Sequence, residues 1–289
     1  MIDLVAYEDI DKEHYDRCVS GSDNFRVYAT SSYLDATARN WDALIYKDYK
    51  AVMPVPRRRK FGLNYVYTPA FVQQLGVFSS EEIGEELEDN FYRNLRSRFI
   101  LVDYAFHSGS QPKGAWQERV NYTLSLDKDY QDLLGSFNTN RKRIITKGFE
   151  TLTLEKSREP AYFLKHLDQT DLGYVPDAAL VEALNRVIDH DPDRVRTWNV
   201  IHEDQWIGGL LWLKDHRRIT YLFPVANKKG KDLDAPTFIL YNLIREHQGT
   251  DLLLDFEGSM IPGVARFYSS FGAQMETYYF MKSRLYGLF

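Results

Sequence analysis

RTWNVIHEDQWIGGLLWLKDHRRITYLFPV, residues 196–225, falls into three strand-like runs, Arg196–His202, Gln205–Lys214 and Arg217–Val225. The polar pairs Glu203-Asp204 and Asp215-His216 join them, and apolar runs bounded by two-residue polar turns predict an antiparallel meander. Downstream the pattern alternates: a helix over about 235–247, a strand over 251–256, a helix over about 262–271 and a strand over 273–281. A meander followed by helix, strand, helix, strand calls for a mixed sheet with helices on its faces, and such a sheet must splay somewhere.

Upstream of the meander the reading gives a strand at Asn121–Leu126, a helix from about Lys128 to Gly148, a strand at Thr151–Lys156 and helices at Pro160–Thr170 and Asp177–Asp189. The Gly/Ser/Pro-rich break SGSQPKG at 108–114 places a lobe boundary, giving lobes of residues 1–115 and 116–289. A chain of 289 residues accommodates two such domains. In the first lobe ALIYKDYKAVMP (43–54) reads as a hairpin around the turn Lys47-Asp48-Tyr49-Lys50. The run Arg57-Arg58-Arg59-Lys60 reads as an exposed loop, with a polyanion contact as the alternative, and Phe61–Phe78 as strand pieces broken by a shaped loop. Glu81–Arg98 reads as a helix with Ser79 and Ser80 as N-cap candidates and Ile83, Leu87, Phe91 and Leu95 on its buried face; a strand at Ile100–Phe106 follows.

With 44% hydrophobic and 15% aromatic residues, both lobes have material for packed cores. A net charge of −5 argues against a surface devoted to nucleic acid, and no DNA partner is expected. The single cysteine, Cys18, makes neither an internal disulfide nor a zinc or redox motif, and a buried structural thiol is expected. The start MIDLVAYEDIDKEHYDRC lacks a basic, apolar leader, and no stretch approaches the roughly 20 apolar residues of a membrane span. A cytoplasmic protein with no membrane span is expected. Histidines are scattered without an HExxH pair and no G-x-S-x-G elbow occurs, so no metal site and no covalent serine nucleophile is expected.

The ending GVARFYSSFGA (263–273) resembles the closing helix and strand of the GNAT superfamily. In that family the helix after the meander, with its preceding loop, holds a donor's phosphates. Common GNAT enzymes carry there a glutamine or arginine followed by a glycine-rich run. Asn227-Lys228-Lys229-Gly230-Lys231 departs from that pattern, which speaks against acetyl-CoA as the donor. Three segments, MPVPRRRKFGLNYVYTPAFVQQLGVF (53–78), FNTNRKRIITKG (137–148) and LLLDFEGSMIPGVARFYSSFGA (252–273), resemble the Fem-type peptidyltransferase branch, and this resemblance covers nearly the whole chain. It implies an α/β (α+β) fold of two tandem GNAT-like lobes, each a mixed, mostly antiparallel sheet flanked by helices. It also implies an N-acyltransferase that moves an acyl or aminoacyl group from acyl-CoA or aminoacyl-tRNA to the primary amine of a small molecule or peptide, with no tightly bound cofactor. The long coiled-coil arm that some Fem proteins insert is missing, so a cell-wall acceptor is not implied.

Direct attack of an amine on an ester or thioester needs a deprotonated amine, oxyanion stabilisation and positioning of both substrates. In LLLDFEGS, Asp255 and Glu257 alternate, so an extended strand would turn both to one side, next to Ser259. Such a pair can supply a general base or bind an ammonium, with Ser259 as a substrate contact; strand-end capping or an ion pair with an arginine is the alternative. Tyr268 on the following helix is the general-acid candidate implied by the resemblance, with core packing as the alternative. Donor phosphates have candidates in Asn227, Lys228, Lys229, Gly230 and Lys231 and in the helix-borne Arg141 and Arg143, with Lys142 and Lys147 beside them; a mobile loop and a solvated helix face are the alternatives. Asp234, before Ala235-Pro236, reads as the N-cap of the donor-side helix. In the first lobe Tyr67, Gln73 and Gln74, with Tyr65, are acceptor-contact candidates for a cleft shared by the lobes, core packing being the stronger reading of the tyrosines. A degenerate GNAT-like protein that binds a ligand or partner without catalysis is the competing function.

Overall fold

The computed structural model describes residues 1–60, 62–110, 116–157, 160–171, 177–258 and 260–282. In chain order its elements begin with β1 (Ile2–Val5), α1 (Lys12–Gly21), α2 (Ser31–Thr37), β2 (Asn40–Tyr46), β3 (Ala51–Lys60), β4 (Leu63–Tyr67), β5 (Phe78–Ser79), α3 (Glu85–Arg98) and β6 (Leu101–Phe106). There follow β7 (Gln117–Ser125), α4 (Tyr130–Ser136), α5 (Thr139–Lys147), β8 (Thr153–Ser157), α6 (Ala161–Lys165), α7 (Ala178–His190), β9 (Val195–His202), β10 (Gln205–Lys214) and β11 (Arg218–Ala226). The chain closes with α8 (Lys228–Asp232), α9 (Ala235–His247), β12 (Leu253–Asp255), α10 (Pro262–Ser269) and β13 (Gln274–Lys282). Two compact units result: Met1–Arg119 with the described part of Thr277–Phe289, and Val120–Glu276.

The first unit orders its strands β1-β2-β3-β4-β6-β13, with β5 on β3. All neighbours are antiparallel except β4 and β6, which α3 connects and which run parallel over Tyr65↔Leu101 to Tyr67↔Asp103. The hairpin at 43–54 forms because Lys47 and Tyr49 take left-handed φ values of 43° and 53°, which turn β2 back into β3 with Tyr46 opposite Ala51. The basic run is not a loop. Arg57–Lys60 complete β3, paired with Val66–Leu63 of β4, and Arg57 grips the buried Asp42 of β2 through Nε and Nη2. The helix expected from Glu81 starts at Glu85 after Gly84, without a side-chain cap. Ser79 is drawn into β5 instead, where its hydroxyl donates to the Lys50 carbonyl at 2.8 Å. Glu85, Glu86 and Glu88 in the first turn of α3 and Arg96 and Arg98 in its last suit the helix dipole. Cys18 is buried, its thiol pushed up to about 11 by desolvation.

In the second unit the order is β7-β12-β11-β10-β9-β8. Strands β9 to β11 form the expected meander, with β8 antiparallel on β9, and β9 turns into β10 through Glu203 and Asp204, whose φ values of 48° and 60° are those of a two-residue hairpin turn matched to strand twist. Helix α9 carries the chain to β12, which lies parallel to β11 and antiparallel to β7. The single helix expected over 128–148 is two. Phe137 and Asn138 are extended, and the Asn138 side chain caps α5 by accepting the Arg141 amide at 2.8 Å. The core gathers Leu133, Phe137, Trp198, Trp212, Leu243 and Phe271 around the sheet. Each unit is a mixed, mostly antiparallel sheet flanked by helices.

Candidate functional site

Strands β11 and β12 pair only from Arg218↔Leu253 to Thr220↔Asp255, while β11 runs on to Ala226. Beside this unpaired length of β11 lies a cavity of about 590 Å³. From the unpaired length of β11 come Tyr221, Pro224, Val225 and Ala226; α9 contributes Pro236 and Ile239, and α10 contributes Gly263, Val264, Phe267 and Tyr268. Pro224 has no N–H to offer a further strand, which suits a free edge. The volume lies within the roughly 300–1,000 Å³ of small-molecule sites.

The carboxylates of LLLDFEGS do not share a strand face. Strand β12 ends at Asp255, and Glu257 takes φ of 58°, which breaks the alternation. Asp255 is almost wholly buried and committed: it accepts from Arg218 Nη1 at 2.9 Å, from Asn121 Nδ2 at 3.0 Å and from the Glu257 amide at 3.0 Å. The arginine ion pair, weighed above as the alternative, describes it. Gly258 also has a left-handed φ, 61°, and a Cβ there would lie 2.1 Å from the Val120 carbonyl oxygen of β7. The backbone therefore turns sharply at 257–258 and leaves Glu257 half-buried. A non-glycine residue held in this region is the kind of strained position that clusters at functional sites.

Tyr268 stands beside it. Burial first, and the Glu257 charge second, push its pKa above the ordinary tyrosine value, so the phenol holds its proton. Its ring packs 4.9 Å from Phe256 and 6.1 Å from Tyr221. Tyr221 is 1% exposed, its hydroxyl has no hydrogen-bond partner among the described residues, and burial and Tyr268 raise its pKa as well. Tyr268 is thus both packed and cavity-lining, which joins the two readings of it. Ser259 lies outside the described residues.

Asn227–Lys231 is not a loop: Lys228–Asp232 is one short helix, with Asn227 as its cap accepting the Gly230 amide at 2.8 Å. Gly230 is buried so tightly that a Cβ would sit 2.0 Å from the Ile207 carbonyl oxygen. Lys229 pairs with Glu203 at 3.0 Å and Lys231 with Asp171 at 2.9 Å, while Lys228 is exposed. Only Lys231 of this group lines the cavity. The basic face of α5 is split. Arg143 is exposed, but Arg141 is buried, donating from Nε to Ser270 Oγ at 3.1 Å and from Nη1 to Thr237 Oγ1, with its guanidinium 4.8 Å from the Phe267 and Phe271 rings. It ties α5 to α9 and α10, and burial lowers its pKa. Asp234 occupies the N-cap position of α9 in a left-handed conformation and makes no side-chain cap bond.

The acceptor candidates belong to the first unit. Tyr67 is buried under the Arg58 guanidinium at 4.2 Å, and its hydroxyl has no partner among the described residues. Gln74 is fully buried, accepting the Ser108 amide at 3.0 Å and donating to Gln73 Oε1 at 2.8 Å. The sequence reading missed the cavity walls on α9 and α10. Pro224 inside an otherwise apolar strand was the available signal, since proline marks a free strand edge.

Solved structures with this fold include FemX, at 13% identity and a TM-score of 0.65, with 95% of this chain and 96% of that one covered. A conserved protein of unknown function from Bacteroides thetaiotaomicron matches at 9% identity and TM-score 0.60, covering 97% of this chain and all of the other. A tandem GNAT protein from the clavulanic acid biosynthesis pathway matches at 10% identity and TM-score 0.52, with 98% and 99% covered. At these identities the likeness is one of fold: the chain has a Fem-like, tandem GNAT fold. No family model and no curated protein matches the sequence. Among the described residues no helix is long and apolar enough to cross a membrane.

Proposed function

We propose that the second unit is an N-acyltransferase site, moving an acyl group from an activated thioester or ester to a primary amine. The observation that carries this is the cavity beside the unpaired length of β11, with the protonated Tyr268 on its wall and the half-buried Glu257 near enough for its charge to raise the Tyr268 pKa. In this reading the Glu257 carboxylate takes the proton of the incoming amine. The nitrogen lone pair then forms the C–N bond, and the bond from carbonyl carbon to sulfur or oxygen breaks. The leaving group departs with the electron pair and receives the Tyr268 proton, which Glu257 restores. Acyl-CoA and aminoacyl-tRNA are the donor classes to test, and Lys231 is the cation on the cavity wall that would meet a donor phosphate.

Two measurements test it. Melting temperature recorded with acetyl-CoA, longer acyl-CoA, free CoA and charged tRNA should rise with the true donor, because a ligand of the native state stabilises it. Glu257→Gln should lower amine acylation by about 100-fold or more at an unchanged melting temperature. Full turnover in that variant removes Glu257 from the chemistry. No shift with any donor favours a GNAT-like fold that binds another ligand without catalysis.

A further inference from the structure

The lining of the cavity restricts the acyl group it can hold. Pro224, Val225, Pro236, Ile239, Val264 and Phe267 give it an apolar wall. The lining charges are Asp171 and Lys231, which engage each other at 2.9 Å. The remaining polar side chains of the lining are the neutral Tyr221 and Tyr268, the Tyr221 hydroxyl being buried and without a partner among the described residues. Such a lining suits an uncharged group. A buried ammonium would need a carboxylate; the carboxylate among the lining residues, Asp171, is already engaged by a lysine, and Glu257, which meets the attacking amine in the transfer reading, is not among them.

Size points the same way. An acetyl group displaces on the order of two waters, at about 30 Å³ each, and would leave most of the 590 Å³ cavity in contact with water. Covering an apolar wall is favourable in proportion to the area removed from water, so the wall rewards a longer chain.

We infer that the cavity holds a neutral, apolar acyl chain of four or more carbons carried as a thioester, rather than an acetyl or an α-aminoacyl group. The chemistry that follows rests on the transfer reading above: the amine nitrogen bonds to the carbonyl carbon, the C–S bond breaks, and the thiol leaves with the proton the amine loses. The binding does not depend on that reading.

Gly263 provides the means to test it. It lines the cavity from the first turn of α10, its φ is ordinary, and a Cβ built on it meets nothing within 4 Å, so a large side chain can enter the space without displacing the fold. The probes are N-acetylcysteamine thioesters of acetyl, butyryl and octanoyl groups, which carry neither nucleotide nor tRNA, with leucine and glycine ethyl esters as ammonium-bearing comparisons. Titrated calorimetrically into the full chain, octanoyl should bind at least about 10-fold tighter than acetyl, as burial of its extra methylenes requires, and leucine ethyl ester more weakly than butyryl. Gly263→Phe should weaken octanoyl binding by about 10-fold or more, at a wild-type melting temperature, and weaken acetyl binding less, so that the chain-length series flattens. A flat chain-length series in the wild-type protein overturns the inference whatever the variant does. So does tightest binding of the leucine ester, or full octanoyl binding by a folded Gly263→Phe chain. A steep series without any amine acylation sustains the inference and removes the transfer reading, whereas turnover that is equal for acetyl and octanoyl, with flat binding, does the reverse.

Discussion

The two units use one plan, a meander followed by a helical crossover to a parallel strand, and differ in what fills the gap beside that strand. In the first unit the chain fills it. After β4 the backbone returns so that Phe78 and Ser79 pair with Val52 and Ala51 of β3. Leu75 meanwhile bonds to β6 in both directions, its amide to the Ala105 carbonyl at 2.9 Å and its carbonyl to the His107 amide at 2.7 Å. Tyr104 is buried there with its hydroxyl on the Pro54 carbonyl at 2.8 Å. His107 is buried as a neutral ring, its Nδ1 3.1 Å from the Gly109 amide and its Nε2 2.7 Å from Asn24 Nδ2 and 3.3 Å from the Val77 carbonyl. In the second unit the pairing of β12 with β11 stops at Thr220, beyond which the Asp171 amide reaches the Ala226 carbonyl at 2.9 Å, and the cavity lies beside this length. A tandem fold can thus close one opening with its own main chain and keep the other for a ligand.

The largest expected effect breaks the open gap at its hinge. Asp255→Ala strips the part-buried Arg218 of its carboxylate and frees the Glu257 amide, and should cost about 3 kcal/mol in chemical denaturation, because a largely desolvated charge is left unpaired. Replacing both partners, Asp255→Leu with Arg218→Met, should recover most of that loss; if the double variant is no better than the single one, the ion pair is not what holds β12 to β11.

The next concerns the closed gap and pH. Burial, with Arg26 adding to it, pulls the His107 pKa down to about 3, below the unfolded value near 6.5. A depressed folded pKa means that this contribution is fully present above pH 6.5 and is lost as pH falls towards 3, since the unfolded chain takes up the proton first. Its full span is on the order of 5 kcal/mol. Denaturation midpoints between pH 7 and pH 4 should fall less steeply for His107→Gln than for the wild-type chain; identical slopes would mean that the ring titrates as if exposed.

The smallest effect sharpens the contrast. Tyr221→Phe removes a buried hydroxyl that has no partner among the described residues, so stability should stay within about 1 kcal/mol of wild type or rise. If that hydroxyl serves the donor carbonyl, acylation should fall in the same variant; a stability loss above about 2 kcal/mol would instead reveal a structural partner.

Local order was legible in the sequence because the two-residue periodicity of 196–225 and the turn pairs Glu203-Asp204 and Asp215-His216 depend on neighbours in the chain. The departures arise where distant groups prevail. Asn138 stops one helix and starts another by capping, where apolar spacing alone reads straight through. Glu257 leaves the strand because its amide bonds back to Asp255 and Gly258 must avoid the Val120 carbonyl of β7. Arg141 turns inward to Ser270 and Thr237, 129 and 96 residues away, a choice that its neighbours in a basic run do not announce. Of the candidate site, Glu257 and Tyr268 were readable as residue types, while the cavity between them and β11 was not. Its walls come from five separate elements, β10, β11, α8, α9 and α10, whose prolines and glycines carry no chemistry of their own.

The most direct test of the contrast is backbone hydrogen–deuterium exchange of the full chain with and without octanoyl-CoA. Expected is added protection over residues 221–226 and 261–268, with residues 75–79 and 104–107 unchanged because main-chain hydrogen bonds already cross the closed gap. Protection confined to residues 75–79 and 104–107, or none in either unit at saturating octanoyl-CoA, would contradict the assignment of the open gap as the acyl site.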